Sequence, residues 1–248
     1  MRQIRRKPLP QAEAGKLQTE QTNANAKLAS NSLDVQKEWK RARQNKPLKA
    51  AFDTLLEMAG NRERCMYCGD SQGTDIEHFW PKNTYPKKMF RWRNLLLGCT
   101  ACGRDHKGTR FPLDAGNKPL LIDPTKDDPW LFLDFDPMTG NFSARYDANR
   151  NPAPKGEKTV EVLGLDRRES LAAGHQKAYK HISDLIAEAM ASSTADATTL
   201  ISKLNGVDEY GLLGWCFRGT GTNELPMSSL RSIKPTIWAA CVKAFKKF

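Results

Sequence analysis

Two Cys-x-x-Cys pairs, Cys65/Cys68 and Cys99/Cys102, constrain this chain of 248 residues more than any other feature in it. Each pair forms a turn that presents two thiolates to one side, and four thiolates close a tetrahedral shell around one zinc ion. The stretch between the pairs must then fold back as a loop pinned at both ends. A redox role for one pair would want a thioredoxin-like βαβ setting, which the flanking residues do not provide. Cys216 and Cys241 stand alone among apolar neighbours and read as buried thiols. A zinc closed by four sulfurs has no open position, so catalysis has to come from the residues between the pairs.

That interval contains TDIEHFW, whose β-branched and aromatic residues predict a short strand over Thr74–Trp80. Neighbouring side chains on a strand face opposite ways, so Glu77 and His78 serve different surroundings. The carboxylate of Glu77 suits a metal ion, and the imidazole of His78 suits a general base because its unperturbed pKa lies near neutrality. Asn94, ahead of the second pair, can tie a loop through its amide and hold the histidine ring. A helix is expected beyond Cys102, carrying Arg104, Asp105, His106 and Lys107.

Charge is placed unevenly. Lys and Arg outnumber Asp and Glu by 14 to 7 over residues 1–64 and by 8 to 4 over 65–112, while residues 113–248 balance at 17 to 17. The basic half therefore holds the cysteine stretch, as expected for a protein that approaches a polyanion from that side. Lys82, Lys107 and Arg110 are the candidate contacts to a nucleic-acid backbone, with Lys87, Lys88, Arg91 and Arg93 in the same loop. No apolar run is long enough to span a membrane. The basic start MRQIRRKPLP lacks an apolar continuation, so the chain reads as cytoplasmic, with no membrane partner.

Four segments are expected. Residues 1–64 form a basic N-terminal segment with helices, a docking surface for a partner. Residues 1–32 within it have few apolar anchors, and are mobile or ordered by that partner. Asp34 caps a helix over DVQKEWKRARQ, and Pro47 opens another that stops at Gly60-Asn61. Residues 65–112 are the core of the function. Residues 113–157 hold a β-hairpin, with Leu131, Leu133 and Phe135 facing Phe142, Ala144 and Tyr146 across a turn, followed by a loop over 149–157. Residues 158–248 read as helical, and one face of the longest helix gathers Leu171, Ala178, His181, Ile182, Leu185, Ile186 and Ala189. His175 and His181 lack a metal-site context and read as surface or core histidines. The fold class is α+β.

The acid–His pair, central Asn and helix after a second CxxC resemble the HNH, or ββα-metal, endonucleases of the zinc-containing branch, over Cys65–Pro112. IEHFWPK, WRNLLLGC, KGTRFP and LLIDPTKDDPW further resemble the HNH nuclease subunit of Septu-type anti-phage systems, also found in retron operons, roughly from Ile4 to Arg168. The resemblance implies a metal-dependent endonuclease with structural Zn2+ on Cys65, Cys68, Cys99 and Cys102, and a catalytic Mg2+ or similar ion. Glu77 would be the metal-binding acid, His78 the general base and Asn94 the central Asn. It implies an ATPase partner in a defence complex and, in the retron branch, a reverse transcriptase with its msDNA. The third HNH position departs from the pattern. Relatives place His or Asn directly after the last cysteine and Lys four residues past that cysteine. Here Gly103 follows Cys102 and Lys107 lies one residue further out, which leaves His106, ahead of Asp105, as the expected helix ligand. A zinc-knuckle module that binds nucleic acid without cutting it, or a degenerate nuclease kept for assembly, are the alternatives.

Overall fold

In the computed structural model, which describes residues 1–246, the N-terminal segment is ordered by the chain itself. Ile4 N–H donates to Pro124 O at 2.7 Å, and Ile4 and Leu9 are buried. α1 (Gln11–Ala29) buries only Leu17, Gln21 and Ala24, spaced four and three residues apart on one face. Gln21 does what an apolar anchor would otherwise do. Its Oε1 accepts from Phe90 N–H at 2.7 Å and its Nε2 donates to Pro86 O at 3.0 Å. The expected mobility of residues 1–32 is thus corrected, because the apolar residues Met1, Ile4, Leu9 and Leu17 are buried against distant parts of the chain and Gln21 adds a polar anchor.

Local signals hold for the next two helices. α2 (Val35–Ala42) begins at Asp34, whose carboxylate accepts from Lys37 N–H. α3 (Lys46–Ala59) has Pro47 in its first turn and ends at Gly60, where φ is +83°, a value that favours glycine. Two strands follow and pair antiparallel. β1 (Asp75–His78) lies against β2 (Leu95–Gly98), with Glu77 opposite Leu96 and His78 opposite Leu95.

The segment after β2 is a π-helix, Ala101–Lys107, in which Gly108 N–H reaches back five residues to Gly103 O at 2.8 Å. A π-turn accommodates one residue more than an α-turn. This is the structural form of the one-residue displacement seen in the sequence.

β3 (Leu133–Phe135) and β4 (Phe142–Ala144) make the expected hairpin, although Leu131 falls in a 3-10 turn before it and is exposed. α4 (Pro154–Leu163) begins inside the expected loop, with Pro154 in its first turn. α5 (Glu169–Ala191) buries Leu171, His175, Ala178, Ile182, Ile186 and Ala189. His181 was expected on that face and is instead exposed; His175 takes the inward position, one turn ahead of Ala178. α6 (Ala197–Val207), α7 (Leu212–Arg218), α8 (Met227–Ile233) and α9 (Pro235–Ala244) complete a mainly helical C-terminal half. One contiguous set of buried residues runs from Met1 to Phe245, through all four segments. Among the described residues no helix is long and apolar enough to cross a membrane.

Candidate active site and metal centre

The four cysteines of the two CxxC pairs are buried and their sulfurs all lie within 4.8 Å of one another. Hydrogen bonds among the four sulfurs push the Cys68 thiol well below its ordinary pKa and the Cys65 thiol well above it, so the tetrad shares its protons as one group. Three donors point at the sulfurs: Cys102 N–H to Cys99 Sγ at 3.4 Å, Asp70 N–H to Cys68 Sγ at 3.5 Å, and Arg168 Nη1 to Cys102 Sγ at 3.3 Å. Four mutually close thiol groups with cationic and amide donors around them fit a zinc ion, whose tetrathiolate shell carries excess negative charge. Arg168 comes from the N-terminal boundary of α5, so the helical half is fastened to this centre.

Beside it lies a cleft of about 340 Å³. Its walls are α2, β1, the loop after β1 and the start of the π-helix. Glu77 and His78 both line it, by different routes. Glu77 faces the π-helix, where Lys107 Nζ donates to its Oε1 at 2.7 Å. Its Oε2 points towards Gly103, where a Cβ would come within 2.8 Å of it. Burial raises the Glu77 pKa, opposed by Lys107.

His78 is directed away from that pair and is nearly enclosed, 4% exposed. Its ring meets the Trp39 indole edge-on at 4.3 Å between centroids. Its Nε2 lies 3.0 Å from Met89 O. A carbonyl only accepts, so Nε2 carries the hydrogen and Nδ1 keeps its lone pair. Nδ1 has no protein partner among the described residues and is not sealed from the cleft. Burial, helped by the nearby Lys82 ammonium, pushes the His78 pKa down to about 3, so the ring is neutral at neutral pH.

Asn94 anchors the loop that supplies Met89. Its Oδ1 accepts from Trp80 N–H at 2.7 Å, and its Nδ2 donates to Trp80 O and Lys88 O, both at 3.0 Å. The expected direct hold on the histidine ring is corrected: Asn94 fixes the loop, and the loop's Met89 carbonyl fixes the ring.

The remaining expected residues divide. Lys82 lines the cleft, half-buried, with its ammonium 6.0 Å from the Trp39 ring centroid. Lys107 cannot meet a phosphate, because its side chain is 0% exposed and its Nζ also donates to His78 O at 2.7 Å. His106 is not brought to Glu77. Its ring lies where a Cβ on Gly164, after α4, would come within 3.0 Å of it, with Arg168 and Arg110 nearby, and it does not line the cleft. Arg110 is exposed and donates to Val162 O at 3.1 Å, also outside the cleft. The π-turn explains both outcomes. It keeps Gly103 and Lys107 on the side facing Glu77 and carries His106 to the other.

Three residues of the cleft escaped the sequence reading. Trp39 and Arg43 arrive from the end of α2, with no local signal linking them to the cysteine stretch. Asp75 is legible in hindsight as the same-face neighbour of Glu77 on β1. It holds Arg43 Nη2 and Arg104 Nη2 at 2.7 Å each, one on either carboxylate oxygen.

No protein-family model matches the chain. Curated relatives include the Septu protein PtuB of Bacillus thuringiensis, 35% identical over 122 residues, covering 47% of this chain and 41% of the relative. The Septu protein PtuB of Bacillus mycoides (strain KBAB4) is 32% identical over 135 residues, covering 43% of this chain and 44% of the relative. The chain thus spans less than half the length of these relatives, and the similarity supports a Septu-type kinship over the matched part.

Proposed function

We propose that the chain is a metal-dependent endonuclease of HNH type, serving as the effector of an anti-phage defence complex with an ATPase partner. The observation that carries the chemistry is His78. It is a neutral imidazole fixed by a backbone carbonyl, with Nδ1 free, and it lines the same cleft as the partly buried carboxylate Glu77. Nδ1 of His78 takes the proton of a water molecule as that water attacks phosphorus, and the bond to the leaving sugar oxygen breaks in line. Arg43, Lys82 and Arg104 at the cleft neutralise the phosphates on either side.

The donors around Glu77 suit the implied catalytic ion. Glu77 offers one carboxylate oxygen, Oε2, not engaged by Lys107, and the facing position, Gly103, has no side chain. A cation that keeps several waters and takes one or two carboxylates plus substrate phosphates suits such a sparse set, which is the habit of Mg2+. Held on Glu77, it would supply Lewis-acid stabilisation of the leaving oxygen. The kinship with Septu proteins supports the defence setting and the ATPase partner.

Incubation with plasmid, single-stranded DNA and total RNA, with and without Mg2+, tests the reading. Cleavage should require the ion and vanish in His78→Ala while zinc content is kept. The missing side chain at Gly103 favours a second reading, an assembly subunit that binds without cutting. No cleavage of any of the three substrates, with an intact zinc centre, would support it instead. Co-purification with a large ATPase encoded beside the chain tests the partner.

A further inference from the structure

A second groove, larger than the cleft at about 630 Å³, lies between the N-terminal segment, Trp92–Arg93 ahead of β2, and Thr125–Lys126. Its lining contains Arg6, Lys7, Arg93 and Lys126 and no carboxylate. The four cations are not equivalent. Arg6 is a structural floor, donating to Trp92 O, Leu95 O and Thr125 Oγ1 at 3.0 Å, with its guanidinium 4.9 Å from the Trp92 ring centroid. Lys7 and Lys126 make only loose pairs at 3.3 Å, with Glu57 and Asp123, and both lysines are more than half exposed. Such surface pairs contribute little and exchange readily. Arg93 has no side-chain hydrogen bond or ion pair among the described residues.

One loop of the chain runs from the lining of the cleft to the lining of the groove. His78, Trp80 and Lys82 stand at the cleft end of that loop, and Lys88, Arg91 and Arg93 at the groove end. Lys88 sits on the Trp80 ring at 3.4 Å. Burial, together with the charges of Arg91 and Lys126, lowers the Lys88 pKa, so these cations share one neighbourhood. Exposed cations Lys7, Arg93 and Lys126 along a groove lined by no carboxylate are the electrostatic footprint of a phosphate backbone. Trp80 and Trp92 already carry Lys88 and Arg6 against their rings, so a strand here would be gripped through its phosphates and not by stacking of its bases.

We infer that the Arg93–Lys126–Lys7 groove is an exosite for the nucleic-acid strand, gripping phosphates several nucleotides from the bond that is cut. The inference rests on the nuclease reading for the strand's passage through the cleft. It adds where the rest of the strand lies, and it implies that substrate length, more than sequence, governs affinity.

The test is binding of fluorescent single strands of about 5 and about 20 nucleotides, spanning the range one binding domain covers. The protein is the full chain without added divalent metal. Wild type should bind the long strand at least tenfold more tightly than the short one. Arg93→Glu with Lys126→Glu should lose at least tenfold for the long strand and almost nothing for the short one. Its salt dependence should be shallower by roughly 1.4 in log–log slope, two contacts at about 0.7 each. A control with the same charge change on the far helices, Lys177→Glu with Lys203→Glu, should keep most of the long-strand affinity. The inference fails if the groove variant, with unchanged melting and zinc content, binds the long strand as wild type does. It also fails if the distant control loses as much, or if poly-glutamate of equal length binds as tightly. A protein that shows the length dependence and its loss in the variant but never cuts would keep the exosite and lose the nuclease reading.

Discussion

Lys107 Nζ stands 2.7 Å from Glu77 Oε1 and 2.7 Å from His78 O, with no part of its side chain exposed. One ammonium therefore neutralises the proposed metal-binding acid and ties down the backbone of the proposed base. Removing it leaves a mostly buried carboxylate without its partner. Lys107→Met should cost about 3 kcal/mol in urea unfolding. Added Mg2+ should stabilise this variant more than wild type, because the ion replaces the lost positive charge. A variant that melts like wild type would show that the pair does not hold the site together.

Gly103 is the narrow point opposite Glu77. A Cβ there would approach Glu77 Oε2 to 2.8 Å, and only rotation of the Glu77 side chain relieves it. Gly103→Ala should therefore abolish Mg2+-dependent cleavage while zinc content and melting stay close to wild type. Retained cleavage would mean that Oε2 is not where the ion is held.

Asn94→Ala removes three hydrogen bonds to Trp80 and Lys88. At about 1 kcal/mol net for each, the loss is roughly 3 kcal/mol if the loop detaches wholly. The local signature is sharper than the global one. Amide exchange over residues 79–90 should accelerate, and trypsin should cut first at Lys87 or Lys88. Exchange that quickens evenly along the chain would argue that Asn94 is only a general core contact.

Arg168 donates to Cys102 Sγ from the start of α5. Residues of this kind tune a thiolate centre from outside the ligand set. Arg168→Met should weaken zinc affinity about 10- to 100-fold, read by competition with a chelator. Cys65→Ser should lose the ion and solubility. One zinc per chain in a soluble Cys65→Ser protein would rule out the four-sulfur centre.

Acid sensitivity follows from two enclosed histidines. Burial pushes the pKa of His175 down to about 3, and that of His78 also to about 3, from an ordinary value of 6.5. The fold keeps both rings neutral, so the unfolded chain binds more protons as acidity rises. Stability is then complete above pH 6.5 and declines as pH falls towards 3. His175→Asn should be less stable at pH 7, since it loses the ring stacked on Phe142, yet should lose less on going to pH 5. Equal losses in variant and wild type would clear His175 of the effect.

What the sequence disclosed was what short-range chemistry controls. Asp34, Pro47 and Gly60 mark helix ends because caps and φ restrictions act within a turn, and the two CxxC pairs foretell their own convergence. Residues 1–32 are held by partners far along the chain, Ile4 by Pro124 and Gln21 by a loop 65 residues away, which no local pattern encodes. The exchange of His181 for His175 on the buried face of α5 is an error of helical phase. The π-turn is the instructive case. One extra residue between Cys102 and Lys107 was visible, but a shifted ligand and a widened turn look identical in sequence. The contacts of Lys107 with Glu77 and His78 O decide for the widened turn.

The Trp39–His78 contact bears on how portable this chemistry is. A graft of residues 65–112 onto another scaffold would carry every cysteine, the acid, the histidine and the asparagine, yet leave one side of the imidazole bare to water. Bulk solvent there would restore an ordinary acid strength to the ring and free it to swing. The smallest transplantable cassette therefore starts near Asp34, and recombination breakpoints between α2 and Cys65 should be rare among working descendants of this chain.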